Sequence, residues 1–299
     1  MSSTKVVVEV EGRQVALTNL AKVLYPAVGF TKAQVLDYYT RIAPVLLPHL
    51  AGRALTRKRY PDGVQGQVFF EKNAPRGTPD WVRTVRLPTP GSSKGRETID
   101  FAVVDDLPSL VWTANLASLE LHTHMWRVDR QGRAQPPDLV VFDLDPGPPA
   151  TVVECCEVAL LLRPVLQADG LEPLAKTSGS KGMQLYARAD GFGSSEETSA
   201  YAKVLAQRFE QSAPDLVVHR MTKALRPGKV LVDWSQNSAA KTTVTPYSLR
   251  ARERPTVSTP LSWDEVEACS APDDLVFTSD DVLARVADRG DLFAPLVSP

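Results

Sequence analysis

The chain has 299 residues, 43% hydrophobic and 23% charged, a balance that permits a sizeable buried core and excludes a disordered or low-complexity protein. A net charge of -1 excludes binding to nucleic acid through bulk positive charge, so any such contact must come from local clusters such as Arg53, Arg57, Lys58 and Arg59, or Lys22 and Lys32. No apolar run approaches bilayer length and Met1 to Glu11 lacks the pattern of a cleavable leader, so a cytoplasmic protein with no membrane partner is expected.

Thr31 and Gln34 have capping-box spacing and open a first helix, with Val35, Tyr38, Tyr39, Ile42 and Leu46 on one face and Pro44 expected to kink or end it. Leu55 to Arg59 mixes strand and loop signals, Gln67 to Phe70 reads as a short strand, and turns are expected at Asn73 to Pro79 and Pro88 to Gly95. The apolar strand Leu139 to Phe142 runs into an acidic turn, Asp143 to Gly147. Thr151 and Glu154 then cap a helix through about Leu162. A polar turn at Thr177 to Gly182 precedes a strand from Met183 to Ala187, and Ser194 with Glu197 caps a helix to Phe209. Lys229 to Val232 is a strand ending at Asp233, and Ser262 with Glu265 and the stretch after Ser279 mark two short helices. The pattern is α/β: one catalytic domain over residues 1–299, built from two closely packed subregions that meet near 131–137. Cys155, Cys156 and Cys269 have neither metal-ligand nor disulfide spacing and are expected to be reduced.

Asp143 and Asp145 lie two residues apart, so an extended backbone directs both carboxylates to one face, with Leu144 turned into packing. Oxygen ligands of this kind suit hard divalent cations, and Asp233 completes the set if its strand is a neighbour. Taken alone, Asp-Leu-Asp is equally an acidic turn before a helix. Ser178-Gly-Ser-Lys181-Gly offers hydroxyls, backbone amides and a cation to a triphosphate without being a Walker A loop; its plain alternative is a tight surface turn.

Four segments taken together carry a resemblance: Val-Phe-Asp-Leu-Asp-Pro-Gly at 141–147, Thr-Ser-Gly-Ser-Lys-Gly at 177–182, Val-Asp-Trp-Ser-Gln-Asn at 232–237 and Pro-Tyr-Ser-Leu-Arg at 246–250. From near Leu17 through Arg250 the chain resembles the polymerase domain of bacterial end-joining DNA ligases, a branch of the archaeo-eukaryotic primase superfamily. The resemblance implies a primase-polymerase catalytic fold. It casts Asp143, Asp145 and Asp233 as catalytic ligands of two divalent metal ions, Mn preferred or Mg. Ser178, Lys181 and Arg250 become triphosphate contacts, His122 a phosphate or ribose contact, and Gln236, with Asn237, a support of the nucleotide pocket. Lys22 and Lys32, with Asn19, resemble a site for a downstream 5'-phosphate. Phe69 and Phe70 resemble a template-facing segment in which Phe70 stacks on a base while the other ring joins the core.

The reaction implied is attack of a primer 3'-hydroxyl on the α-phosphate of an NTP or dNTP, filling gaps and extending broken DNA ends, with ribonucleotides favoured, at the nucleoid and in cooperation with Ku and a DNA ligase. Two features depart from the family: Gln184 stands where a histidine is usual, and no ligase adenylation motif is visible, as in a standalone homologue or an excised domain. The other readings are a primase that starts chains de novo, and a catalytically weak module that binds and synapses DNA ends.

Overall fold

The computed structural model describes residues 5–89 and 97–297, so most of the turn expected at Pro88 to Gly95 lies outside the described residues. In chain order, β1 (Lys5–Val10) and β2 (Arg13–Thr18) form a hairpin, and β3 (Val23–Tyr25) pairs with β4 (Phe30–Thr31). The first half continues with α1 (Lys32–Leu50), β5 (Ala54–Arg59), β6 (Phe69–Glu71), β7 (Thr84–Pro88), β8 (Thr98–Val103), α2 (Leu107–Asn115) and β9 (Ser118–Thr123). A hairpin of β10 (Trp126–Val128) and β11 (Ala134–Pro137) leads into β12 (Leu139–Pro146), α3 (Val152–Ala168), β13 (Leu174–Thr177), β14 (Met183–Arg188) and α4 (Ser195–Ser212). The remaining elements are β15 (Val217–Val218), β16 (Val230–Asp233), β17 (Thr243–Val244), β18 (Pro260–Leu261), α5 (Trp263–Ala268) and α6 (Ser279–Arg289).

Two sheets organise these elements into the two α/β subregions expected. The first runs β17-β9-β5-β8-β7 with β6 added to β5; the second runs β15-β16-β12-β14-β13-β18 and is antiparallel except where β15 meets β16. Residues of α1, α2, β5 and β9 form one core, which Tyr247, Leu249, Val257 and Val282 join from late in the chain. Residues of β12, β14, α3 and α4 form another. Fully burying an aliphatic side chain such as Ile42 or Leu162 stabilises the fold by roughly 1.5–3 kcal/mol, which is why these apolar stripes decide where the helices lie.

The caps behave as their spacing predicts. Thr31 and Gln34 exchange hydrogen bonds at the start of α1, as do Thr151 and Glu154 at α3 and Ser262 and Glu265 at α5. Helix ends were less legible. Pro44 neither ends nor divides α1, which runs through both Pro44 and Pro48 to Leu50; each proline deletes one backbone donor, and the apolar face buried against α2 holds the helix regular. Likewise α3 passes Pro164 and extends to Ala168. The acidic turn proves to be strand: β12 continues through Asp143 and Asp145 because it is paired on both sides, to β14 and to β16.

The cluster from Arg53 to Arg59 is not a phosphate-binding surface. Arg53 is 1% exposed and Arg57 0% exposed. Arg53 forms a two-pronged pair with Asp138 at 2.8 and 2.6 Å, linking β5 to the entry of β12. Arg57 and Arg59 both reach Glu71, Arg57 also bonds the Asn73 carbonyl, and Lys58 pairs with Glu120. Four cations within seven residues, three of them in β5, read as exposed because sequence does not reveal carboxylates that arrive from elsewhere.

Removing the partner of Arg53 tests this inward use of charge. Asp138→Ala is expected to destabilise the protein by about 3 kcal/mol, the low end for stranding a buried charge, since Asp138 is itself partly exposed. A urea midpoint equal to wild type would show that Arg53 needs no carboxylate.

Candidate active site

The second sheet places Asp143 directly opposite Asp233 in the β12–β16 ladder and opposite Gln184 in the β12–β14 ladder. Asp145, two residues on, shares the face of Asp143 at the open rim of the sheet, so the acids that sequence assigned to separate strands are brought together. Burial and the Asp145 carboxylate push Asp143 well above the ordinary carboxylate range, against the Gln184 hydrogen bond that favours its charged form. Asp145 is raised as well, by the desolvation that the flanking segments impose and by Asp233, while Arg226, Arg250 and Lys181 oppose the shift.

The carboxylates are partly engaged. Asp233 Oδ1 accepts from the Ser235 amide at 3.0 Å and hydroxyl at 2.5 Å, its Oδ2 from Gln236 Nε2 at 2.8 Å, and Asp143 Oδ1 from Gln184 Nε2 at 2.9 Å. Among the described residues no group of three His, Cys, Asp or Glu side chains is already gathered as a cation cage. The donor set nonetheless fits a hard divalent cation. Carboxylates of neighbouring strands share one sheet face, and the raised proton affinities of Asp143 and Asp145 mark a site short of positive charge.

The turn from Thr177 to Gly182 lies beside these acids. Ser178 Oγ accepts from the Ser180 and Gly182 amides, each at 3.2 Å, and thereby shapes the loop. Gly182 is obligatory on steric grounds, since a Cβ there would meet the Leu144 carbonyl at 2.1 Å. Lys181 is exposed at the loop edge, and Arg250 Nη1 donates to the Ser178 carbonyl from the opposite side. Gly147 is held as tightly, its missing Cβ 2.1 Å from the Arg226 carbonyl, which seats Arg226 near Asp145.

His122 lies on β9 of the first sheet, with Nε2 3.0 Å from Glu120 Oε2. Glu120 is a buried hub, pairing also with Lys58 at 2.9 Å and Arg250 at 3.4 Å and accepting from the Ala251 amide at 3.1 Å. Burial alone would raise Glu120, but His122, Arg250 and Lys58 outweigh it and hold it far below the usual range. Burial pushes His122 down, so the imidazole is neutral and Glu120 accepts its proton. Gln236 sits against Asp233; Asn237, fully buried, bonds both backbone groups of Val141 at 2.9 and 2.8 Å and organises the turn rather than a pocket.

The residues expected to meet DNA lie in the first half. Lys22 and Lys32 are adjacent through a backbone bond of 2.8 Å, with Asn19 closing the turn by accepting from the Lys22 amide at 3.0 Å. Lys32 is buried at the start of α1 and donates to the Thr18 carbonyl at 2.6 Å and hydroxyl at 3.2 Å, whereas Lys22 makes an exposed pair with Asp62 at 2.8 Å. Burial first, then Arg59 and Lys22, lower Lys32 to about 8. Phe69 and Phe70 are 37% and 53% exposed, so the expectation that one ring joins the core fails. β6 pairs with β5 alone and lies outside the main sheet order, with both rings exposed and Glu71 partly buried.

Sequence reasoning missed Glu120, Lys176 and Arg226. Glu120 had a signal, since two-residue spacing on a strand puts it on the face of His122; Lys176 and Arg226 had none, being charged residues in a short strand and a turn whose roles depend on tertiary placement, Lys176 through Ser258 and Arg226 through its approach to Asp145.

The two sheets and the acidic face between a glycine-rich loop and a buried cation hub define a nucleotidyltransferase of the primase-polymerase class. Residues 31–293 match the family described as LigD, primase-polymerase domain. The chain is 45% identical over 284 residues to the multifunctional non-homologous end joining protein LigD of Mycolicibacterium smegmatis, covering 95% of this chain and 36% of that protein. It is 31% identical over 275 residues to the bifunctional LigD of Bacillus subtilis, covering 91% of this chain and 42% of that protein. It superimposes with a TM-score of 0.88 and 42% identity on the polymerase domain of Mycobacterium tuberculosis ligase D solved in complex with DNA, over 95% of this chain and 98% of that one. The chain therefore belongs to the LigD primase-polymerase domain family, and it spans a little over a third of the length of the mycobacterial relatives it matches.

Because Glu120 is depressed, its contribution to stability is complete above the ordinary value of 4.5 and is lost as pH falls below it toward the folded value. Glu120→Gln is expected to lower the urea midpoint at neutral pH, and the deficit to shrink progressively below pH 4.5. A deficit that stays constant with pH would remove Glu120 from the charge hub.

Proposed function

We propose that residues 1–299 act as one catalytic unit that adds nucleotides to a primer 3'-hydroxyl at gaps and broken DNA ends. The observation that carries this reading is the placement of Asp143, Asp145 and Asp233 on neighbouring strands beside the Ser178 to Gly182 loop. Divalent cations held by these aspartates, two in number and manganese before magnesium, would supply charge stabilisation for transfer at the α-phosphate with release of pyrophosphate.

The chain's own groups do the rest. Lys181 and Arg250 bring positive charge to the triphosphate from the two sides of the loop, and Ser178 offers the adjacent hydroxyl. His122, kept neutral by burial and oriented by Glu120, has its free ring nitrogen left to accept a hydrogen bond from a ribose hydroxyl, and Gln236 holds Asp233. Lys22 and Lys32, with Asn19, grip a downstream 5'-phosphate: Lys32 keeps one ammonium proton beyond the two given to Thr18, and Lys22 exchanges its exposed partner Asp62 for phosphate. Phe70, the more exposed ring on an open edge strand, stacks on a template base.

NTPs or dNTPs are the substrates, ribonucleotides preferred, and the natural setting is end joining at the nucleoid of the cytoplasm with Ku and a DNA ligase. The family assignment supports this setting. Among the described residues no helix is long and apolar enough to cross a membrane.

The primary test is extension of a labelled primer across a short gap bearing a downstream 5'-phosphate, with Mn, comparing ATP with dATP. Asp145→Ala is expected to reduce templated addition by about a hundred- to a thousandfold, the order supplied by removing one electrostatic stabiliser, while DNA binding persists. Activity equal to wild type would refute the carboxylate assignment; binding without addition by wild type would favour an end-synapsis module instead.

The 5'-phosphate site predicts a pH profile. Lys32 is lowered from 10.5 to about 8, so it is charged below that value and loses its proton above it unless a bound phosphate restores the ordinary affinity. The gain in DNA affinity from a 5'-phosphate should therefore decline between about pH 8 and pH 10.5, and Lys32→Arg should flatten that decline. Equal affinity for phosphorylated and unphosphorylated gaps at every pH would eliminate the site.

A further inference from the structure

Resting on the aspartate site just described, we infer that Lys176 and Gln184 form a hydrogen-bond relay that fixes the catalytic face of Asp143, making Gln184 a positioning residue rather than a nucleotide contact. Lys176 is 0% exposed in the interior of β13, and among the described residues no carboxylate is paired with it. Its Nζ donates to Ser258 Oγ at 2.6 Å and Gln184 Oε1 at 2.5 Å. The Ser258 hydroxyl proton is committed to the Thr177 carbonyl at 2.8 Å, so Ser258 can only accept from the lysine.

That polarity settles the orientation of the glutamine amide. With Oε1 occupied by the Lys176 Nζ–H donor, Nε2 must face the other way, and it donates to Asp143 Oδ1 at 2.9 Å. Across the ladder Lys176 is the register partner of Gln184 and Gln184 that of Asp143, so three successive strands carry the relay side by side. Asp143 is thereby held by one of its two oxygens. A glutamine engaged at both ends and 4% exposed has no free reach toward a triphosphate. The residue that replaces the family's usual histidine acts through hydrogen-bond direction and carries no charge of its own.

Partners that orient a ligating carboxylate typically alter metal affinity or activity by roughly ten- to a hundredfold when removed. The test is a Mn2+ titration of the full chain, without DNA or nucleotide, read from the electron paramagnetic resonance of the free ion, alongside thermal unfolding and steady-state gap filling. Gln184→Met and Lys176→Met are each expected to weaken Mn2+ binding about tenfold and to lower kcat, with the nucleotide KM unchanged at saturating Mn2+. The double variant should be no worse than the poorer single one, because both break the same relay. Gln184→His, which keeps an acceptor and a donor on opposite ring edges, should restore binding.

Unchanged Mn2+ affinity in Gln184→Met would overturn the inference. So would a raised nucleotide KM with kcat intact, or full additivity of the two substitutions. If Lys176→Met does not fold, the Gln184→Met and Gln184→His pair decides alone. Asp143→Ala separates the two levels: wild-type Mn2+ binding there refutes the aspartate site itself, whereas its loss beside an unaffected Gln184→Met refutes only the relay.

Discussion

Like charges gathered on one sheet face constrain this molecule more than any other feature. Two carboxylates about 4 Å apart repel by about 4 kcal/mol at an effective dielectric constant near 20, and neighbouring antiparallel strands bring Asp143, Asp145 and Asp233 to one face. The surrounding polar structure offsets that repulsion from all sides. Ser235 and Gln236 donate to Asp233, Gln184 donates to Asp143, and Arg226, Arg250 and Lys181 bring positive charge toward Asp145. Packing pins the frame. The Asn237 side chain bonds Val141 as a backbone segment would, and glycines at 147 and 182 admit the flanking loops to within backbone contact of their neighbours.

The first sheet uses charge in the opposite way. Its cations are placed where carboxylates from other segments meet them: Arg53 with Asp138, Arg57 and Arg59 with Glu71, Lys58 with Glu120. This explains how a chain of nearly neutral composition supports a nucleic-acid-directed family fold. Part of its positive charge positions structure, while other groups, Lys22 and Lys181 among them, are exposed.

Legibility in the sequence followed the range of the interactions. Capping boxes at Thr31, Thr151 and Ser262 depend on neighbours three residues away and were readable. So was the shared face of Asp143 and Asp145, set by the strand repeat. The persistence of α1 through Pro44 was not, because it depends on what the helix packs against. Nor was the exposure of both Phe69 and Phe70, since alternation predicts one buried ring only where another layer covers that face of the strand, which is a matter of tertiary packing. Of the site, the acids and the glycine loop could be named in advance; Glu120, Lys176 and Arg226 act through contacts tens to more than a hundred residues distant or through loop placement.

The late return of the chain to its first core bears on the order in which the protein is made. Tyr38 donates to the Tyr247 carbonyl, His49 pairs with Asp291, and Val282 of α6 lies in the same apolar cluster as α1. A nascent chain that has emerged only as far as β9 therefore exposes an α1 face whose covering does not yet exist. The second sheet has its central strands and helices between Leu139 and Asp233, but Leu261, Val266 and Leu275 also enter its cluster. Emergence of the residues after Tyr247 therefore completes both cores, so neither half becomes fully native until the end of the chain is made.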